Sequence, residues 1–231
     1  WLLSAIGAPV PITPRVAVLL FGVGLVSVFV TPVIYLAFAV PSVEHYRLLT
    51  WLMRFGGGLA ILPITLAIVA GLARARAVEA TARSLHAALV ASLVLFAAGG
   101  LIGFMIQGSN TRIPAHYHGC IVGITLAFMG VAYYLLPRFG YRAPAGRLPT
   151  WQPYLYGAGQ LLHMLGLVWS GGYGTQRKVA GAEQVLRTTG EVIGMGLMGL
   201  GGLIAIVGGL LFVVVVLRAM SRTPHRRAET S

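Results

Sequence analysis

Two histidines one residue apart open an otherwise apolar stretch: residues 113–120 read IPAHYHGC, with His116 and His118 at i and i+2. Ionisable side chains in a membrane-crossing segment are costly and usually serve a function. On a helix such a pair is about 200° apart around the axis and about 3 Å apart along it. One ion held by both would favour i and i+4, whereas this spacing suits two planar groups, one on each side of the helix. Neutral imidazole is a common ligand of haem iron. Pro114 suits a first helical turn, and Gly119 removes bulk beside His118 where a flat ring could approach. Haem propionates need cations near the membrane surface, and arginine pairs best with carboxylates. The segment SGGYGTQRKVAG (170–181) supplies Arg177 and Lys178. The plainer readings are a structural HxH and a basic pair that contacts lipid headgroups.

The elements that would position these residues are membrane helices. Of 231 residues, 57% are hydrophobic and 10% charged, with a mean hydropathy of +0.84, more apolar than a soluble domain of this length needs. Hydropathy predicts an all-α membrane bundle, one domain over 1–231, with six spans near 16–40, 48–73, 85–106, 114–136, 150–171 and 188–218. The net charge of +12 sits in short loops between apolar runs, so it reads as a topology signal and not as a nucleic-acid surface. With the amino terminus inside, eleven basic residues fall inside (Arg15, Arg74, Arg76, Arg83, Arg138, Arg142, Arg147, Arg218, Arg222, Arg226, Arg227). Six fall outside: Arg47, Arg54, Arg112, Arg177, Lys178 and Arg187. Both termini are therefore expected in the cytoplasm, with His116, His118, Arg177 and Lys178 toward the outer face. Cys120 is the single cysteine, so no internal disulfide framework exists. The opening WLLSAIG shows no signal-peptide pattern. The glycines of spans three and six, AGGLIG and GMGLMGLGGL, are expected to permit close contacts with partner helices.

AHYHG (115–119), the span ending YYLLPRFGY (133–141) and LLHMLGLVWSGGYGTQRKVAG (161–181) together resemble the haem-copper oxidase subunit I family, most closely its B-type and nitric-oxide-reductase-like branches. The resemblance covers about 87–218 and is faint over 16–75. It implies that the six spans correspond to the second half of a twelve-span subunit. It also implies that His116 ligates a high-spin haem, His118 a low-spin haem, and Arg177 and Lys178 the propionates, although the family usually has two arginines there.

The sequence departs from that family where a copper or non-haem iron would bind. The family has an adjacent histidine pair near the outer end of the first span in this half, and here the segment reads VFVTPVIYLAF (28–38). Copper is therefore not expected from this chain alone. The expectation is a haem-binding subunit of a respiratory oxidoreductase in a bacterial inner membrane, completed by other membrane subunits and served by a cytochrome c-like electron donor. The alternative is a non-catalytic scaffold or assembly subunit that kept the fold. A transporter is the weaker reading, since no symmetric repeats are evident.

The remaining histidines are read separately. His45 is either a replacement ligand or a surface residue held by Glu44, and His163 a packed, hydrogen-bonded residue. His86 and His225 are expected at the inner surface. Glu191 reads as a helix-start acid, Cys120 as a small packing residue, and Tyr117, Tyr133 and Tyr134 as interfacial aromatics.

Overall fold

The computed structural model describes residues 1–56, 58–179, 181–183 and 185–221. Arg222, His225, Arg226 and Arg227 lie outside the described residues. The described chain is all-α and falls into two compact units, Gly7–Ala77 and the remainder, Trp1–Ile6 with the chain from Val78 onward. A short α1 (Leu2–Ala5) packs in the latter unit, where Leu2 lies against Gly130.

In the Gly7–Ala77 unit, α2 (Pro14–Ala37) starts where sequence chemistry demands. Thr13 is the N-cap and its hydroxyl accepts from the Val16 amide at 3.4 Å, while Pro14 occupies the first turn, where its missing N–H costs nothing. Ser42 caps α3 (Val43–Trp51) in the same way, accepting from the His45 amide at 3.1 Å. A π-helical turn over Leu52–Gly56 separates α3 from α4 (Gly58–Ala73).

The second unit is built on α5 (Arg83–Phe104), α6 (Arg112–Leu135), α7 (Arg147–Gly172) and α8 (Thr189–Ser221). Its apolar centre includes Leu95, Ala115, Leu126, Met164 and Leu167. Glycine sets how closely these helices approach. A Cβ on Gly99 of α5 would lie 2.6 Å from the Cys120 amide nitrogen of α6. On α8, Gly194, Gly201 and Gly208 recur every seven residues and meet Ser170, His163 and Tyr156 of α7. On α7, Gly159 and Gly166 have the same spacing, and a Cβ on Gly166 would lie 2.5 Å from the Gly194 carbonyl. Small residues at heptad spacing let membrane helices meet backbone to backbone. The glycines expected to face partner chains thus largely serve contacts within this one. Gly100, Gly196 and Gly199 are the open positions, with nothing within 4 Å of an added Cβ.

Five helical stretches are long and apolar enough to cross a membrane: Pro14–Ala37, Val43–Ala73, Ala80–Phe104, Arg112–Phe139 and Thr189–Ser221. The chain is a multi-pass membrane protein. Of the six spans expected, five are among these stretches, and the remaining one is 150–171. That stretch is helical within α7, whose 26 residues are long enough, but it is not among the apolar five. The reason is its polar content, which is turned inward: Gln152 and Ser170 are fully buried. Gln152 accepts from the Tyr133 hydroxyl at 2.9 Å and donates to the Gly208 carbonyl at 3.0 Å. Tyr133 is therefore a buried bridge from α6 to α7, not an interfacial aromatic. Tyr134, next to it, is half-buried and has the Arg138 guanidinium 3.4 Å from its ring centroid.

The glycine contacts define a test. Gly201→Leu would drive a side chain into the α7 backbone and should destabilise the detergent-solubilised protein by about 3 kcal/mol or more. Gly196→Leu, at an open position, should be near neutral. Thermal unfolding of both variants checks this contrast.

Candidate functional site

The start of α6 and the end of α7 are locked together by side chains at the head of the histidine helix. Thr111 precedes α6 and is buried; its hydroxyl donates to the Leu167 carbonyl at 2.8 Å and lies 3.2 Å from the Ser170 hydroxyl. Its amide donates to the Thr175 carbonyl at 3.1 Å. Asn110 accepts from the Arg112 amide at 3.0 Å and donates to the Gln107 carbonyl at 2.9 Å, which shapes the turn into the helix. Gly171 admits this contact, since a Cβ there would lie 2.8 Å from the Thr111 hydroxyl. Thr111 and Thr175 thereby bring together the loop ahead of α6 and the loop after α7.

Arg177 belongs to this junction. Its Nε donates to the Ser109 hydroxyl at 3.2 Å, a bond that uses Nε and not the two terminal nitrogens. Lys178 is exposed and adopts φ 61°, a left-handed conformation uncommon for a residue with a Cβ. The basic pair and the histidine helix thus share one end of the bundle.

His116 and His118 face different neighbours. His116 turns toward α5, where its Nδ1 lies 2.7 Å from the Gly99 carbonyl. A carbonyl can only accept, so Nδ1 carries a proton, and in the neutral ring Nε2 keeps a lone pair. That arrangement is typical of a histidine prepared to ligate metal through Nε2. Gly103 leaves room for the ring, since a Cβ there would lie 3.0 Å from Nδ1. Cys120 sits one turn on, its sulfur 3.8 Å from the same nitrogen.

His118 turns toward α7. Its ring centroid is 4.5 Å from that of His163, with the planes tilted by 55°. His163 is itself fixed by α8, its Nδ1 2.9 Å from the Met198 carbonyl oxygen. The reading of His163 as packed and hydrogen-bonded holds, but its pairing with His118 was not legible. The signal is helix arithmetic. His118 follows Thr111 by seven residues and His163 precedes Ser170 by seven, so two antiparallel helices joined at Thr111 and Ser170 bring the histidines to one depth. Nδ1 of His118 and Oε1 of nearby Gln160 are both buried without a hydrogen-bond partner among the described residues.

The pair limits what can bind. Two imidazoles ligating opposite faces of one iron at about 2 Å would hold their centroids about 6 Å apart, and 4.5 Å leaves no such gap. A haem at His118 would have to take its opposite ligand from elsewhere. Among the described residues no cluster of three or more His, Cys, Asp or Glu could hold a metal ion.

His45 lies in the Gly7–Ala77 unit. It is 3% exposed, its Nδ1 is 3.2 Å from the Phe38 carbonyl and its ring meets Tyr35 edge-on at 4.6 Å. The expected surface histidine held by Glu44 is therefore a buried one, held by the end of α2, with Nε2 unpartnered among the described residues. His86 is half-buried in the first turn of α5. Glu191 is the helix-start acid expected. Its carboxylate accepts from the amides of Arg187 at 2.5 Å and Thr188 at 2.9 Å, and the Thr188 hydroxyl accepts from the Glu191 amide at 3.2 Å, a reciprocal capping box.

No protein-family model matches the chain, and no solved structure does either. The chain is 42% identical over 143 residues to an uncharacterized protein of Rickettsia prowazekii, a match covering 57% of this chain and 28% of that protein. It is 36% identical over 66 residues to an uncharacterized protein of Aquifex aeolicus, covering 29% of this chain and 17% of that one. The chain thus matches less than a third of either relative's length.

The junction makes a testable demand. Thr111→Val keeps the shape but removes the donor to the Leu167 carbonyl. It should cost about 1–2 kcal/mol and speed amide hydrogen exchange over 173–176. Unchanged exchange there would show that the loops are held by other contacts.

Proposed function

We propose that this chain is a haem-carrying membrane subunit of an electron-transfer complex, resembling the second half of haem-copper oxidase subunit I, with α7 as its sixth membrane span. The observation that carries the reading is the His116 ring, whose Nδ1 is bonded to the Gly99 carbonyl at 2.7 Å while Nε2 keeps its lone pair. His116 fits an iron ligand on that count. His118 fits only on the ring edge away from His163. A bound haem would supply one-electron chemistry at iron. The chain's own contribution is to fix the His116 tautomer, to hold His118 at a set depth against His163, and to offer the Arg177 terminal nitrogens and Lys178 to carboxylates.

His116 is half-buried within its own bundle, so other helices would form the far wall of a haem pocket. Partner membrane subunits, or further spans of a longer chain, would provide them. The Rickettsia relative, of which the matched stretch is about half as large a share as it is of this chain, has room for such spans. Without the family's histidine pair, the chain alone does not assemble a copper or non-haem iron site. The reading includes a bacterial inner membrane, both termini inside, and a cytochrome c-like donor.

A scaffold or assembly role is the second reading, and the His118–His163 pair favours it, because two packed rings can be structural. Haem content separates the two. In the complex purified from its native membrane, a pyridine haemochrome assay should find that His116→Ala removes haem, with His118→Ala removing a different one. Wild-type content in both variants overturns the haem assignment, and no haem in the native complex supports the scaffold.

The basic pair gives a finer test. Arg177→Gln should lower a haem midpoint potential, because a positive charge that favours the added electron is lost. About 60 mV corresponds to a tenfold change for one electron, and the expected shift is of that order or smaller. Lys178→Gln should do less, as a point charge on a flexible stem. Unchanged midpoints in both, with haem retained, would place the propionates elsewhere.

A further inference from the structure

At the opposite end of the bundle from Arg177, the loop between α6 and α7 folds against the last turns of α8. The Arg142 amide donates to the Ala219 carbonyl at 3.3 Å and fastens the loop there. The cleft this leaves has a volume of about 400 Å³. Arg142 and Arg218 line it, together with Leu148 and Pro149 from the first turn of α7 and Val215 and Ala219 from α8. No carboxylate lines it among the described residues. Both arginines are exposed, as is Arg138, but Arg138 is committed to the Tyr134 ring and carbonyl.

We propose that this cleft binds the phosphate headgroup of one anionic phospholipid. Three observations converge, and the proposed orientation agrees with them. The cleft lies at the ends of two stretches apolar enough to cross a membrane, Arg112–Phe139 and Thr189–Ser221, so it sits at headgroup depth. Its two guanidiniums come from different segments, the loop and α8, and each offers a planar fork to phosphate oxygens. Its apolar lining, where Leu148 is partly exposed over buried Pro149 and Val215, gives an acyl chain a contact beside the charges. In the orientation proposed above, this end faces the inner leaflet, where basic pockets between helices take anionic headgroups. A free phosphate shares the headgroup chemistry but would gain nothing from the apolar side, and so the lipid is the ligand.

Native mass spectrometry of the purified, delipidated full chain in detergent, titrated with dioleoyl phosphatidylglycerol or dioleoyl phosphatidylcholine, tests this. One phosphatidylglycerol should bind in clear preference to phosphatidylcholine. Arg142→Gln/Arg218→Gln should weaken that adduct roughly tenfold or more, with the thermal unfolding midpoint unchanged. Arg74→Gln/Arg76→Gln, which alters other basic residues, should leave it intact. Arg142→Lys/Arg218→Lys keeps both charges and should retain the preference; it and Arg142→Gln alone serve if the double glutamine variant does not fold. Equal binding of the two lipids, an unaltered adduct in the glutamine variants, or displacement of the lipid by millimolar inorganic phosphate would each overturn the proposal.

Discussion

The α5–α8 unit depends on one constraint: the polar side chains of α7 must find partners in an apolar setting, and for Gln152 and His163 the α8 backbone supplies them. An unsatisfied polar group away from water costs several kcal/mol. Gln152 meets the Gly208 carbonyl, and His163 meets the Met198 carbonyl. These carbonyls belong to α8 and have a second lone pair to offer beyond their own helical bond. Short side chains reach them only because the two helices nearly touch. Gly159 and Gly166 on α7, with Gly194, Gly201 and Gly208 on α8, make that approach possible.

The histidine helix inherits its placement from this pair. Two hydrogen bonds and one ring contact link the α6 segment to α7 at three depths: Thr111 with Ser170, Tyr133 with Gln152, and the His118 ring against that of His163. On its other side α6 meets α5 across Gly99 and Gly119, and the same close approach puts the Gly99 carbonyl within reach of His116. The two histidines therefore differ in kind. His116 is oriented by a backbone acceptor, whereas His118 is packed against a second imidazole.

Much of this was legible in the sequence. Apolar run lengths locate the helices to within a few residues, because crossing a bilayer fixes their length. The i, i+2 spacing of His116 and His118 predicts divergent directions, and they do face α5 and α7 respectively. Helix parity puts Arg177 at the end where His116 lies. The misses share a cause. Hydropathy averages over a window, so it cannot tell that Gln152 and Ser170 are buried and satisfied. Its average over α7 falls below that of the five apolar stretches, although the polar groups that lower it are turned inward. Tyr133 looks interfacial by position, and only its bond to Gln152 reveals a core residue. His45 beside Glu44 suggests an ion pair, but the Ser42 cap turns the ring toward the Phe38 carbonyl instead. Long-range pairings such as His118 with His163 require knowing which helices are adjacent and in what register.

The most direct measurement of the central claim is a cryo-electron microscopy map of the chain with its native partners. The account predicts a planar density in bonding contact with Nε2 of His116, with Nδ1 still bonded to the Gly99 carbonyl, and cationic contacts from Arg177 to the same group. A partner helix or lipid packed directly against the His116 ring, with no such density, would contradict it.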